Sequence, residues 1–247
     1  SFGGTLTIEE YHKNNEMRFS VCTKVDNLRA NASVSGNQIY RSLLASVESM
    51  NVDVVDTLYL HQNDIQIISD KAIIKALCQL KGDGLVKKIG VSVYSAEECE
   101  FALNGDIYDV VQLPVSILDS HIFSQIAEHG RNKEIVARSL FLQGVLFNRG
   151  QIRAQISQAE EVFTSLFKID ELVKANQFDL LSVACAFVTG LPQVDHILVG
   201  TMCGDHLSNI VKAAEIKLPE LLRHDLMSNS RSYKSWGNPR NWKVPTS

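Results

Sequence analysis

Several things are scarce in this sequence, and each scarcity excludes something. Aromatic residues make up 7% of the 247 positions and proline occurs five times, in no Pro- or Ser-rich stretch, so there is no low-complexity tract or stiff linker. Five cysteines (Cys22, Cys78, Cys99, Cys185 and Cys203) are odd in number and scattered. With no C-x-x-C pair and no histidine at zinc-ligand spacing, they predict no metal site and a reducing, cytoplasmic setting. Apolar runs are no longer than a strand, and no basic segment followed by an apolar stretch opens the chain. Neither a transmembrane helix nor a signal peptide is therefore expected. Charge of neither sign dominates: 24 Lys and Arg against 28 Asp and Glu give a net charge of −4. That balance offers no electrostatic attraction for nucleic acid or an anionic membrane and leaves a small molecule as the expected partner. No G-x-G-x-x-G and no G-x-x-x-x-G-K-[ST] follows any apolar run, so the usual phosphate-binding turns are absent.

What remains is an ordinary globular composition, 45% hydrophobic and 21% charged. The length suits a single domain over residues 1–247, with residues 228–247 as a loop-like, Trp- and Pro-containing tail on its outside or rim. Short Val/Ile-rich runs alternate with segments of helical spacing, the pattern of a parallel sheet covered by helices. Six strands are predicted, at Arg18–Val25, Val54–His61, Lys88–Val93, Asp109–Leu113, Glu134–Leu140 and His196–Gly200. Helices are predicted over Gln38–Met50, Asp70–Leu80, Ser95–Leu103, Asp119–His129, Ala159–Ala175, Leu180–Thr189 and His206–Ala214. Asp70 reads as an N-cap, and Ser95 with Glu98 as a capping box.

Six βα units fit a doubly wound sheet or an incomplete barrel, and the missing glycine-rich turns favour the barrel. Barrel chemistry sits at the C-terminal ends of strands, which draws attention to Lys24, His61, Gln112 and Gly200-Thr201. A lysine there is either buried and tuned or snorkels to solvent, and a lone histidine is either a hydrogen-bonded core residue or a proton donor. Together, on adjacent strand ends, the two are suited to polarise a carbonyl and to lower the pKa of a third group.

Three motifs, Thr23-Lys24-Val25, Val55-Asp56-Thr57-Leu58-Tyr59-Leu60-His61-Gln62 and Lys88-Ile89-Gly90-Val91-Ser92, occur in an order that resembles the aldo-keto reductases. Asp109-Val110-Val111-Gln112, the stretch from Ala137 to Gly144, and Ile197-Leu198-Val199-Gly200-Thr201 resemble that family's sixth, seventh and eighth strands. The resemblance runs from about Phe19 to Trp242. It implies an aldo-keto reductase (β/α)8 TIM barrel with strands 3–8 present and the first two missing from this chain. It also implies an NADPH cofactor, with NADH as the alternative, bound without a Rossmann motif.

By resemblance, Lys24 corresponds to the lysine of the family's Tyr-Lys-His-Asp tetrad and His61 to its histidine. The family's aspartate and tyrosine lie upstream of the strand ending at Lys24, where the one tyrosine, Tyr11, reads as a helix-surface residue. Ser92 and Gln112 correspond to residues holding the nicotinamide carboxamide, although Val93 stands where an asparagine is usual. Arg138 takes the place of a stacking aromatic, followed by Ser139, Leu140 and Gln143. Gly200, Thr201 and Met202 lead into a helix near His206, whose free N–H groups suit a phosphate, and Asn209 falls where an adenine contact is expected. The segment Trp236-Gly237-Asn238-Pro239-Arg240-Asn241-Trp242 resembles the C-terminal signature of bacterial members encoded near sugar and surface-polysaccharide enzymes.

Three functions are compatible with these residues. The first is an NADPH-dependent oxidoreductase that reduces an aldehyde or ketone, sugar-derived compounds included. The second is an inactive barrel that binds a nicotinamide nucleotide or a protein partner. The third makes Lys24 a Schiff-base lysine.

Overall fold

The computed structural model describes residues 19–30, 35–61, 64–126 and 132–243. Its contacts fall into two compact units divided between Val111 and Gln112. The first holds β1 (Cys22–Val25), α1 (Ser35–Met50), β2 (Val55–Leu60), α2 (Ile65–Ile68), α3 (Lys71–Gly82), β3 (Val86–Ser92), α4 (Ala96–Asn104) and the start of β4 (Val110–Pro114). The second contains the end of β4, α5 (His121–Ile126), β5 (Glu134–Arg138), α6 (Ile152–Gln155), α7 (Ala159–Ala175), α8 (Leu180–Thr189), β6 (His196–Ile197), α9 (Gly204–Ala214) and α10 (Glu220–Ser230). The sheet order follows the sequence, β1-β2-β3-β4-β5-β6. The pairs β1–β2, β2–β3 and β5–β6 are parallel.

In the first unit, β2 is buried over almost its whole length and β3 over its C-terminal half, as Val- and Ile-rich strands between two apolar layers should be. Helix starts follow the local chemistry. The Asp70 carboxylate accepts from the Ala72 and Ile73 amides at 2.9 and 3.0 Å. Ser95 and Glu98 close a reciprocal capping box, which satisfies amide groups that the helix itself cannot. Tyr108, buried, donates its hydroxyl to the Ile68 carbonyl at 2.6 Å.

Three aspartates share one device. The backbone amide of Asp56 donates to the Val21 carbonyl while its carboxylate accepts from the Val21 amide. Asp109 treats Ile89 in the same way, and in the second unit Asp195 does so with Ile135. Each carboxylate therefore reads the neighbouring strand's backbone and fixes its register. Burial alone would raise the Asp56 pKa. Hydrogen bonds from Lys87 and the Val21 amide, with the charges of Lys87 and Lys88, outweigh it and hold the carboxyl below its usual range. A carboxyl depressed on folding stabilises the fold above its unfolded pKa of about 3.9, and that contribution is lost as pH falls through the lower folded value. Asp56→Asn is accordingly expected to cost ~1–2 kcal/mol at pH 7. Urea midpoints of wild type and variant should converge in strong acid.

The second unit is organised around α8, whose residues 182–188 are all buried. Its Cys185 packs with Ile210 and Ala213 of α9. Asp179 caps α8 by accepting from the Ser182 amide at 2.9 Å. No single helix among the described residues is long and apolar enough to cross a membrane.

The tail departs from the loop expected of it. Helix α10 extends to Ser230, and 3-10 turns follow at Ser235–Gly237 and Pro239–Asn241. Ser230 meets Ser120 through two bonds, Ser120 N–H to its carbonyl at 3.0 Å and the paired hydroxyls at 2.7 Å. Trp236 is 1% exposed, and the Trp242 indole N–H donates to its carbonyl at 2.8 Å. Lys234 donates to the Leu118 and Asn229 carbonyls at 2.8 and 2.7 Å and lies 5.4 Å from the Trp236 ring centroid. The tail is thus an anchored part of the core. Its short helical turns carry no apolar stripe that would have marked them in the sequence.

Smaller boundary corrections have local causes. The strand expected over His196–Gly200 pairs only at His196–Ile197, with one further bond from the Leu198 amide to the Ala137 carbonyl. The helix expected from His206 begins at Gly204, since a glycine is tolerated in a first turn. The helix expected over Asp119–His129 is described as His121–Ile126; residues 127–130 lie outside the described residues. So do Arg18, which opened the first predicted strand, and Tyr11.

Candidate active site

In the first unit, strand pairing decides which side chains meet. Lys24 lies opposite Tyr59, and Tyr59 opposite Gly90. The His61 amide continues the ladder to the Val25 carbonyl at 2.9 Å. Because side chains alternate along a strand, Lys24, Tyr59, His61, Gly90 and Ser92 all belong to one face, with Lys24, His61 and Ser92 at its C-terminal end. Three of the residues singled out from the sequence are therefore brought together. Lys24 and His61 are exposed, while Ser92 is buried.

Tyr59, buried, is a member the sequence reading missed. Its ring lies across Gly90, where a side chain would collide with it, and the Lys24 ammonium stands 5.9 Å from the ring centroid. An aromatic face attracts a cation, so Tyr59 helps to settle where Lys24 rests. The signal was available, since Tyr59 precedes His61 by one period of strand alternation.

Asp26 is the second missed residue. Its Oδ2 lies 2.9 Å from His61 Nδ1, and both side chains are 47% exposed. The loop carrying it is held from two sides. The other carboxylate oxygen of Asp26 accepts from the Asn27 amide at 2.8 Å. The Gln38 side-chain amide, from α1, donates to the Asn27 carbonyl at 3.0 Å. Asn27 itself has φ of 59°, a left-handed conformation that asparagine tolerates better than most residues. Beside these loops lies a cleft of about 640 Å³, lined by Arg29, Asp64, Gln66 and Glu97 among others. Asp64 comes three residues after His61, so the cleft opens next to the strand ends.

The second unit presents its own set. Gln112 and Arg138 are 2% and 7% exposed. The Val115 amide donates to the Arg138 carbonyl at 3.0 Å, which puts the C-terminal ends of β4 and β5 side by side. Arg138 Nη1 donates to the Ser139 hydroxyl at 3.2 Å. Ser139 and Gln143 have φ of 60° and 53°, in a tight loop closed by the Leu142 amide on the Ser139 carbonyl at 2.8 Å. Leu140 is 1% exposed, so its side chain belongs to the core and only its backbone can serve a ligand. Residues 200–209 are exposed throughout, including Gly200, Thr201, Met202, His206 and Asn209. The α9 N-cap, Cys203, makes no side-chain cap. Thr201 Oγ1 accepts from its amide at 3.2 Å, and His206 falls in the first turn of the helix.

This fold, with polar and charged residues at its strand ends, defines a class. The aldo/keto reductase family model matches residues 6–221, and the chain belongs to that family, whose members are oxidoreductases. Among solved structures it is similar to the aldo-keto reductase AKR11C1 from Bacillus halodurans, apo form, with a TM-score of 0.69 at 19% identity, covering 94% of this chain and 79% of that one. It is also similar to MGS-M4, an aldo-keto reductase from a Medee basin deep-sea metagenome library (TM-score 0.65, 14% identity, 92% and 77% covered). A third is the thermostable aldo-keto reductase Tm1743, solved with the inhibitor epalrestat (0.66, 19%, 90% and 76%). No curated protein sequence matches the chain.

Proposed function

We propose that this protein is a cytoplasmic, nicotinamide-dependent reductase of aldehydes or ketones. The observation that carries the reading is the shared face of Lys24, His61 and Ser92 at the ends of three consecutive parallel strands. The chemistry of a bound nicotinamide cofactor would be hydride delivery to the carbonyl carbon. His61 would orient the carbonyl by a hydrogen bond to its oxygen. Lys24 would place positive charge where negative charge develops and favour ionisation of a neighbouring acid.

The donor set supports a nucleotide ligand. In the first unit Ser92 is a buried hydroxyl of the kind that suits a carboxamide; in the second, Gln112 is a buried amide and Arg138 offers a planar cation. Residues 196–209 contain Asp205 and no lysine or arginine. An additional phosphate at the N-terminus of α9 would therefore find amide dipoles but no lysine or arginine from this segment. NADPH and NADH are expected to bind within about tenfold of each other, a difference of roughly 1.4 kcal/mol. Fluorescence titration of each nucleotide against the protein checks this.

We further propose that the six strands are the third to eighth of the barrel, which the longer solved relatives and the two-residue pairing of β6 support. The family's aspartate and tyrosine would then lie outside these strands, and no described residue is assigned their roles. The cleft beside Asp64 and Glu97 is polar enough to take a hydroxylated, sugar-like substrate.

The test is nucleotide oxidation with a panel of aldehydes and ketones, including aldoses, alongside the intact mass of the protein made by its own gene. Turnover that Lys24→Met lowers by about 10²- to 10⁴-fold would support the reading. Nucleotide binding without turnover, in a protein of 27.5 kDa, would replace it with a binding-only barrel.

A further inference from the structure

We propose that Asp26 is a positioning residue for His61, fixing the proton on Nδ1 so that Nε2 is the nitrogen presented to substrate. The inference deepens the reductase reading and rests on it for its catalytic consequence.

The argument is one of donors and acceptors. An ionised carboxylate can only accept, and Asp26 Oδ2 is 2.9 Å from His61 Nδ1, so that nitrogen must carry the hydrogen. The carboxylate cannot easily turn away. Its other oxygen is committed to the Asn27 amide, and the backbone on either side of the Asp26–Asn27 peptide is held by Gln38. The imidazole is anchored too, because the His61 amide is bonded to Val25, the residue just before Asp26. Ring and carboxylate thus leave adjacent, hydrogen-bonded strand ends, and their separation is fixed by the sheet.

The consequence concerns Nε2. With Nδ1–H given to Asp26, neutral His61 presents a lone pair at Nε2 and can accept an alcohol hydroxyl. To donate to a carbonyl oxygen it must hold a second proton as imidazolium, with Asp26 beside it as counter-ion. Asp26 therefore makes the direction of hydrogen bonding at Nε2 depend on the protonation of His61, with donation for the carbonyl and acceptance for the alcohol. Without Asp26 a neutral ring is free to carry its hydrogen on Nε2. A histidine whose second nitrogen is held by a carboxylate is a recurrent way to fix a tautomer.

The experiment is nitrogen-15 NMR of the histidine rings in the full chain, with His61 assigned by its loss in His61→Gln. In the wild type the neutral form of His61 is expected to be protonated on Nδ1. In Asp26→Ala the hydrogen is expected to move to Nε2, whereas Asp26→Asn, whose single side-chain oxygen can face either Nδ1–H or the Asn27 amide while its NH2 faces the other, should hold it on Nδ1 only in part. Carbonyl reduction by Asp26→Ala is expected to lose the decline with rising pH that the wild type owes to the second proton on His61, because a neutral ring can then donate from Nε2, with nucleotide affinity unchanged within about twofold. A wild-type His61 protonated on Nε2, or a tautomer indifferent to Asp26→Ala, overturns the inference while leaving the reductase reading intact. The expected tautomer shift in a protein that turns over no carbonyl keeps Asp26 as the residue that positions His61 and overturns the reductase reading instead.

Discussion

Lys234→Met is expected to destabilise the protein by ~1–3 kcal/mol, because it leaves two part-buried carbonyls without their donor and takes a cation from the neighbourhood of Asp119. Lys234 satisfies two carbonyls, those of Leu118 and Asn229, and faces Asp119 electrostatically. Burial raises the Asp119 pKa, opposed by the His121 amide and by the charges of Lys234 and His121. Burial likewise lowers the Lys234 pKa, and Asp119 opposes that. For a carboxyl raised on folding, the penalty is fully present above the folded pKa and disappears as pH falls to the unfolded value near 3.9. Taking away the cation enlarges that penalty. The deficit of Lys234→Met, read from urea midpoints, should be greatest at neutral pH and shrink toward about pH 4. Asp119→Asn added to Lys234→Met should recover part of the loss, as coupled neighbours do. A deficit independent of pH would mean that the two carbonyl bonds, and not Asp119, account for the role of Lys234.

Gly90→Ala is the second large effect. A Cβ at residue 90 would stand 2.5 Å from Tyr59 Cε1 and 3.0 Å from Thr57 Cγ2, and Tyr59 is 5% exposed. A ring this buried must move against its neighbours to relieve the contact, so overpacking of ~1–3 kcal/mol is expected. Displacing the ring also moves the surface over which Lys24 lies, so reductase turnover should fall together with the melting temperature. In Gly90→Ala combined with Tyr59→Leu the added methyl finds room, and the pair should cost less than the sum of the single changes by about 1 kcal/mol. If Gly90→Ala melts with the wild type, the Tyr59 ring swings freely and does not hold Lys24.

The helices that begin on strong local chemistry were readable from the sequence. Asp70, and Ser95 with Glu98, cap the helices predicted for them, and Ala159–Ala175 and Leu180–Thr189 match residue for residue. Lys24 and His61 were readable as strand-end residues and Ser92 through the family resemblance, and period-two alternation was enough to put them on one face once the pairing was known. Asp26 and Tyr59 were not found, because each matters through a partner on another strand and pairing register is a tertiary property. The turns of the tail were not readable for a related reason: Lys234 gains its meaning from Leu118 and Asp119, more than a hundred residues earlier.

The reciprocal aspartate pinches at Val21, Ile89 and Ile135 bear on how such a chain can change. They set register with a carboxylate and two backbone groups, so the neighbouring side chains at those points are free to vary. They also act upstream of the strand ends that carry Lys24, His61, Ser92 and Arg138. Loops at those ends can lengthen, shorten or exchange their residues without touching these contacts, whereas losing an aspartate removes one of the fixed points of its strand's register. Divergence of substrate preference is thereby uncoupled from the alignment of the sheet, and new specificities can be tried at one end while the other keeps count.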